Sequence, residues 1–221
     1  IAPHFYFILF VPLVHRCLNM DLKDFFPSIT QKDVFNIFYQ KGYTKRVSYY
    51  LAKLLTKDGV LPQGSPASPK ISNIVALHLD KRLSELAKCY RATYSRYADD
   101  LTFSGASNIK NMIPIINKII HEETFLVNEK KTRYSYYFQK QEVTGLIVNK
   151  KVSVPKEYLK ELNKEIYYCK KFGVSSHLKK TENHKSFFKE YMYGKAYFIN
   201  MVDKELGQKI LRELDTILWE Y

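Results

Sequence analysis

Two adjacent carboxylates, Asp99 and Asp100, restrict the folds open to this chain more than any other feature. They lie between two short runs with strand composition, residues 94–97 and 101–103, which predicts a β-hairpin with the acids at its tip. Because adjacent carboxylates repel each other, the pair costs folding energy unless a positive group lies nearby. A divalent metal ion is the simplest such partner, although an Asp-Asp pair in a turn is also ordinary turn chemistry.

A third carboxylate, Asp21, follows an apolar, β-favouring run over residues 5–20 and precedes the Phe-Phe-Pro-Ser segment at 25–28. A buried strand that ends in an acid and then meets a proline break delivers that carboxylate to the edge of a sheet. Convergence of Asp21 with Asp99 and Asp100 would suit a pair of Mg²⁺ ions, because Mg²⁺ prefers oxygen ligands. No His or Cys in the sequence is placed to compete, which argues against zinc.

Helical patterns account for most of the chain between these acids. Thr30 and Asp33 form a capping-box-like pattern ahead of a first helix, and residues 70–87 and 108–123 each have the apolar period of one helix. A further amphipathic helix is predicted over residues 43–58, with five apolar side chains facing inward: Val47, Tyr50, Leu51, Leu54 and Leu55.

The segment Leu-Pro-Gln-Gly-Ser-Pro-Ala-Ser-Pro at 61–69 is predicted to be a rigid loop, because three prolines and a glycine prevent regular structure. Its small residues let a ligand approach the backbone closely. The order of strand, helices, hairpin and helix predicts an α+β fold, in which helices cover one face of an antiparallel sheet.

The sequence pattern of the chain changes after Pro155, from a strand pattern to lysine-rich helical patterns. Residues 141–155 have the pattern of another hairpin with its turn at 149–151. Two lysine-rich helical patterns follow, at 156–172 and 186–221, joined by a polar loop at 173–184. They predict a small helical subdomain with these apolar stripes: Leu159, Leu162, Ile166 and Tyr167 in one, and Ile199, Val202, Leu206, Ile210, Leu211, Leu214 and Leu218 in the other.

Charge and cysteine usage indicate the surroundings and partners of the chain. Its 35 Lys and Arg against 22 acids give a formal charge of +13, which favours a polyanionic partner, most often nucleic acid. Three cysteines without paired or metal-ligand spacing indicate free thiols in a reducing, cytoplasmic compartment. The apolar run at 5–14 is too short to span a bilayer, so no membrane partner is expected. A chain that starts at Ile1 is interpreted as an amino-terminally truncated fragment.

Three segments, in this order, resemble the palm motifs of reverse transcriptases: Asp21-Leu-Lys-Asp-Phe-Phe-Pro-Ser28, Leu61-Pro-Gln-Gly-Ser-Pro-Ala-Ser-Pro69 and Tyr97-Ala-Asp-Asp100. The resemblance extends to Asn128-Glu-Lys-Lys-Thr132 and to Val143-Thr-Gly-Leu-Ile-Val-Asn149. Together with Phe-Phe-Pro-Ser and Gln-Gly-Ser-Pro, the last of these segments is similar to bacterial retron reverse transcriptases in particular. The resemblance implies a right-hand polymerase fold, with a palm and a remnant of the fingers at 1–155, a helical thumb at 156–221, and the fingers largely missing.

The same resemblance assigns roles at the site. It gives Asp21, Asp99 and Asp100 to two Mg²⁺ ions, with Mn²⁺ as a substitute, and places Phe26 as the steric gate against a 2′-hydroxyl. Substrate binding falls to Leu22, Phe26, Gln63 and Gly64. Lys131 matches the lysine that protonates the departing pyrophosphate as a general acid.

The implied activity is RNA-directed DNA polymerisation from dNTPs by two-metal nucleotidyl transfer. The implied partners are a structured noncoding RNA as template and primer, the nascent DNA, and an effector protein of an antiphage defence system. Group II intron-type and diversity-generating reverse transcriptases are the nearest alternatives, and an RNA-dependent RNA polymerase is a more distant one. A palm and thumb that binds RNA by charge without catalysis is an alternative of a different class.

Overall fold

The computed structural model describes residues 16–105, 108–143, 145–149, 151–182 and 187–219. The predicted α+β class is confirmed: helices pack against an antiparallel sheet. The strands are β1 (Arg16–Lys23), β2 (Ala92–Tyr97), β3 (Asp100–Gly105), β4 (Leu126–Val127), β5 (Arg133–Tyr136), β6 (Glu142–Val143) and β7 (Leu146–Ile147).

The helices of the first part of the chain are α1 (Phe25–Ser28), α2 (Gln31–Gln40), α3 (Lys45–Leu55), α4 (Ser68–Val75), α5 (Leu77–Cys89) and α6 (Ile113–Glu122). Those of the second part are α7 (Lys156–Phe172), α8 (Val174–Lys180), α9 (Phe188–Val202) and α10 (Lys204–Asp215). Short 3₁₀ turns cover Ile109–Met112 and Glu129–Lys131.

Strand β1 is the centre of the main sheet. The strand order is β2-β3-β1-β4, and β5 also pairs with β1, all antiparallel. The predicted apolar strand over residues 5–20 is described only from Arg16 onward, and its earlier part lies outside the described residues. The predicted hairpin is confirmed, with Asp99 in the turn between β2 and β3 and Asp100 as the first residue of β3.

The register of β1 against β3 separates the sheet into an apolar and a polar face. Leu18 lies opposite Phe103 and Met20 opposite Leu101, and these four side chains are buried in the core. The alternate pairs are Cys17 with Ser104, Asn19 with Thr102, and Asp21 with Asp100. Because side chains alternate between faces, a shift of one residue would move the carboxylates into the hydrophobic core.

Helix α2 begins as predicted. The Thr30 side chain accepts a bond from the Asp33 N–H, and the Asp33 carboxylate accepts one from the Thr30 N–H, which completes a capping box. Val34 is fully buried on the face of the helix that meets the core.

The prediction for the inward face of α3 is wrong in part. Val47, Tyr50 and Leu54 are exposed, and the fully buried positions are Ser48 and Ala52. Small side chains at i and i+4 let two helices approach closely, and α3 packs mainly on α2. The hydropathy pattern assigned the inward face to the large side chains instead.

The helix predicted over residues 70–87 is two helices, α4 and α5, which meet at Ala76 with a ψ of 3°. Helix α4 also begins inside the predicted loop, at Ser68, with proline tolerated in its first turn. The helix predicted at 108–123 starts with a 3₁₀ turn. Of its six expected apolar positions, Ile113 is half-buried and the others are buried: Ile109, Met112, Ile116, Ile119 and Ile120.

The chain divides into two compact units, Ile1–Thr144 and Gly145–Tyr221. In the second unit, Ile147 and Ser153 exchange backbone hydrogen bonds of 2.9 Å around the predicted turn. The predicted polar loop at 173–184 contains helix α8, and the pattern at 186–221 is broken into α9 and α10 at Asp203. Tyr167 and Leu218, both assigned to apolar stripes, are exposed.

Two further observations bear on the sequence predictions. The three cysteines are free, and burial raises the pKa of the Cys17 thiol to about 12. Among the residues that the structure describes, none of the helices has the length and hydrophobicity needed to cross a bilayer.

Two helical glycines in the second unit provide a matched test of its packing. A Cβ on Gly207 in α10 would lie 2.2 Å from the Asn200 Cα of α9, whereas a Cβ on Gly194 in α9 would meet nothing within 4 Å. Gly207→Ala should therefore lower the free energy of unfolding by roughly 1–3 kcal/mol through overpacking. Gly194→Ala should raise it by up to about 1 kcal/mol, the helix-propensity gain. Urea unfolding followed by circular dichroism measures both, and an equal change in the two variants would contradict this packing of α9 on α10.

Candidate active site

Sheet register brings Asp21 and Asp100 together. The two residues are direct partners in the β1–β3 ladder, and directly opposite residues project to the same face with Cβ atoms about 4.5–5.5 Å apart. Asp99 precedes Asp100 in the turn, and its carbonyl accepts a 2.9 Å hydrogen bond from the Leu22 N–H of β1. The structure therefore places all three predicted acids at one end of the sheet.

Asp21 is the most enclosed of these acids, with 5% of its surface exposed. Its Oδ2 accepts a 2.8 Å bond from Lys131 Nζ, and its Oδ1 accepts a 3.2 Å bond from Asn128 Nδ2. The Asn128 N–H also donates to the Asp21 carbonyl at 2.8 Å. The 3₁₀ turn at Glu129–Lys131 lets Asn128 and Lys131, three residues apart, reach the same carboxylate.

Asn128 is a site residue that the sequence analysis did not assign, although its segment was recognised. The available signal was its spacing from Lys131, because residues three apart in a 3₁₀ turn lie on the same side.

The electrostatics of the site show too little positive charge for its acids. Partial burial and the neighbouring charges of Asp99 and Asp21 raise the pKa of Asp100, and Lys131 offsets only part of this. The hydrogen bond and charge of Asp21 raise the pKa of Lys131, so its ammonium stays protonated at neutral pH. The site therefore has the properties of a cation-binding position occupied in part by a lysine.

Among the residues that the structure describes, no three Asp, Glu, His or Cys side chains are arranged to hold a metal ion as they stand. Both Asp21 oxygens already accept bonds from Lys131 and Asn128. The donor chemistry nevertheless fits a hard cation, because the converging side chains offer carboxylate oxygens, and partial burial together with the charges of Asp99 and Asp21 raises the pKa of Asp100.

The predicted substrate-binding residues have different environments. The Leu22 side chain is buried in the core, so only its backbone is available near the acids. Phe26 lies in α1, half-buried, with its ring 5.4 Å from that of Phe25. Gln63 and Gly64 are exposed on the loop before α4, where Gly64 has a φ of +85°.

That loop is anchored at both ends. The Leu61 N–H donates to the Ile29 carbonyl at 2.9 Å, and the Ser68 hydroxyl donates to the Pro62 carbonyl at 2.6 Å. Gln63 and Gly64 are therefore presented by a short, fixed turn.

Comparisons with known proteins agree with the motif order. Residues 13–187 match the family model described as reverse transcriptase (RNA-dependent DNA polymerase). The Retron Ec86 reverse transcriptase of Escherichia coli is 34% identical over 210 residues, which cover 92% of this chain and 61% of that protein. The Retron Mx65 reverse transcriptase of Myxococcus xanthus is 32% identical over 216 residues, covering 88% of this chain and 48% of that protein.

This chain therefore spans about half to three-fifths of the length of these relatives. Among solved structures, telomerase from Candida albicans in complex with a fragment of telomeric RNA is similar at a TM-score of 0.46 and 13% identity. That match covers 89% of this chain and 40% of the telomerase chain, and its similarity is below the level that identifies a shared fold.

Removing the charge of Asp100 should stabilise the chain in the absence of divalent ions. Its folded-state pKa is raised, so ionisation opposes folding above that pKa, and the penalty disappears below the ordinary value of 3.8. Asp100→Asn should have a higher melting temperature than the wild type at pH 7 in EDTA, and the difference should shrink as the pH falls toward 3.8. Thermal unfolding across this pH range tests the expectation, and an equal or lower melting temperature at pH 7 would contradict it.

Proposed function

This chain belongs to the reverse transcriptase family, and on that premise we propose that it is an RNA-directed DNA polymerase of retron type. The observation that carries the proposal is the pairing of Asp21 with Asp100 beside Asp99, within a segment that matches the family. The assignment to the retron type is supported by the similarity to retron reverse transcriptases.

Asp21, Asp99 and Asp100 would hold two Mg²⁺ ions, for which Mn²⁺ could substitute. Such a pair supplies Lewis-acid activation of the attacking hydroxyl and stabilisation of the leaving oxygen. As a ligand, Asp21 would use the lone pairs that its bonds to Lys131 and Asn128 leave free, and the charge of a cation would weaken its bond to the Lys131 ammonium. Burial and the charges of Asp99 and Asp21, which raise the pKa of Asp100, would favour a cation beside it.

Lys131 would then be released toward the departing group. In nucleotidyl transfer the 3′-hydroxyl of the primer loses its proton to water and its oxygen forms a bond to the α-phosphorus. The bond from that phosphorus to the bridging oxygen of pyrophosphate breaks. The Lys131 ammonium, which is protonated while it pairs with Asp21, would after its release donate that proton to the pyrophosphate as a general acid.

The remaining residues would select and orient the nucleotide. Phe26 would place its ring against the sugar and leave no room for a 2′-hydroxyl. Gln63 and Gly64 would contact the incoming nucleotide and the templating pair from their anchored loop. Leu22 would contribute through its backbone, because its side chain is buried.

The partners that we propose are a structured noncoding RNA that serves as template and primer, the nascent DNA, dNTPs, and an effector protein in antiphage defence. The net charge of +13 supports a nucleic-acid partner. We further propose that residues 1–155 form the palm with a remnant of the fingers, that residues 156–221 form the thumb, and that the protein acts in the cytoplasm.

The metal assignment is tested by Asp99→Asn, which keeps the size of the side chain and removes its charge. Primer extension on an RNA template with Mg²⁺ should fall by at least about 10²–10³-fold, the range for loss of one preorganised electrostatic contact. RNA affinity should be unchanged. The matched control is Asp58→Asn in an exposed turn with φ of 53°, where extension should remain at the wild-type rate.

Retained extension in Asp99→Asn would overturn the metal assignment. RNA binding with a steep salt dependence and no extension by the wild-type chain would instead favour the noncatalytic RNA-binding alternative.

The gate assignment is tested by Phe26→Val, which shortens the side chain where the sugar would lie. Incorporation of ribonucleotides relative to deoxynucleotides should rise by at least about tenfold, the scale set by opening a pocket by a few methylene groups. Phe35→Val is the matched control, since Phe35 also packs against the core in a half-buried position. Unchanged sugar selectivity in Phe26→Val would show that this ring is only part of the core.

A further inference from the structure

The guanidinium of Arg96, on β2, donates hydrogen bonds from all three of its nitrogens. Its Nε and Nη2 donate to the two oxygens of Asp80 at 2.7 and 2.6 Å. Its Nη1 donates to the Asn73 side-chain oxygen at 3.1 Å and to the Ala98 carbonyl at 2.9 Å. The Arg96 side chain is 5% exposed and that of Asp80 28%, so the guanidinium itself is largely removed from solvent.

The bond to the Ala98 carbonyl connects this network to the acidic turn. Ala98 has a φ of 51°, a left-handed conformation that a non-glycine residue adopts only when its surroundings impose it. The carbonyl that Arg96 holds belongs to the peptide group between Ala98 and Asp99. The next carbonyl, that of Asp99, is held by the Leu22 N–H. The peptide groups on both sides of Asp99 are therefore fixed, one by Arg96 and the other by β1.

The same guanidinium touches elements that present the other proposed site residues. Asn73 lies in α4, the helix that follows the loop of Gln63 and Gly64. The Arg96 guanidinium carbon lies 5.6 Å from the centre of the Phe25 ring, which contacts Phe26. Asp80, which also accepts a 2.7 Å bond from the Tyr94 hydroxyl, anchors the network to α5.

We propose that Arg96 is a positioning residue that fixes the orientation of Asp99 toward a bound cation through the Ala98 carbonyl. This inference rests on the proposed function, because it assumes that Asp99 is a cation ligand. A planar guanidinium can satisfy Asp80 with one edge and still reach Asn73 and Ala98 with its remaining nitrogen. An ammonium can pair with Asp80 but cannot reproduce this fixed set of directions.

Arg96→Lys separates the positioning role from simple charge pairing. The wild-type and variant chains are compared by Mn²⁺ titration followed by electron paramagnetic resonance, by primer extension and by thermal unfolding. Loss of one oriented hydrogen bond should raise the Mn²⁺ dissociation constant by about five- to tenfold. Misplacement of Asp99 should lower kcat by up to about 10²-fold, while the KM for dNTP and the RNA affinity stay unchanged.

Arg82→Lys is the matched control. Arg82 lies on α5 and also bridges carboxylates, donating to Glu122 and, at 2.7 Å, to Glu123, and both of these partners lie outside the acidic turn. Its replacement should leave Mn²⁺ binding and kcat at wild-type values. Should Arg96→Lys fail to fold, the double variant Asp80→Asn with Arg96→Gln removes both charges together, and the same losses are expected.

The outcomes separate this inference from the proposed function. Wild-type Mn²⁺ binding and kcat in a folded Arg96 variant would overturn the positioning role and leave the polymerase assignment intact. A wild-type chain that neither binds Mn²⁺ nor extends a primer would overturn both. An equal loss in Arg82→Lys and Arg96→Lys would also overturn the positioning role, because it would show a general effect of weakened ion pairs.

Discussion

The pairing register of β1 with β3 is the constraint on which the rest of the first unit depends. One face of this pair buries Leu18, Met20, Leu101 and Phe103, and the opposite face places Asp21 beside Asp100. Because the side-chain period of a strand is two residues, core packing and the position of the acids cannot vary independently. The burial of those apolar side chains therefore provides the free energy that holds two carboxylates close together.

That proximity has an electrostatic cost, which the surrounding segments reduce in different ways. Lys131 neutralises Asp21 and Asn128 donates a hydrogen bond to it, whereas Asp100 keeps a raised pKa. The turn between β2 and β3, which contains Asp99, is held through its backbone by Arg96 and Leu22. The acids thus stay in place without a cation, and the residual repulsion at Asp100 is what a cation would relieve.

Local signals in the sequence predicted the parts of this arrangement that depend on neighbouring residues. The hairpin around Asp99 follows from the strand composition of the runs on either side, and the capping box at Thr30 from a three-residue spacing. The prediction for the inward face of α3 is wrong in part because Ser48 and Ala52 are buried for their small size, which hydropathy does not register. The broken helix at Ala76 and the exposed Tyr167 also depend on tertiary packing, which overrides a continuous apolar period.

Contacts that join distant segments were beyond the reach of sequence patterns. Arg96 and Asp80 belong to a strand and a helix whose separate patterns carry no information about their pairing. Arginine and aspartate, considered alone, are residue types usually found on a solvated surface. Only the packing of α5 beside β2 brings them together, with the Arg96 side chain buried and that of Asp80 half-buried, and a buried arginine must satisfy its remaining donors locally. The Ala98 carbonyl meets that requirement, so the need to satisfy a buried guanidinium also fixes the backbone of the acidic turn.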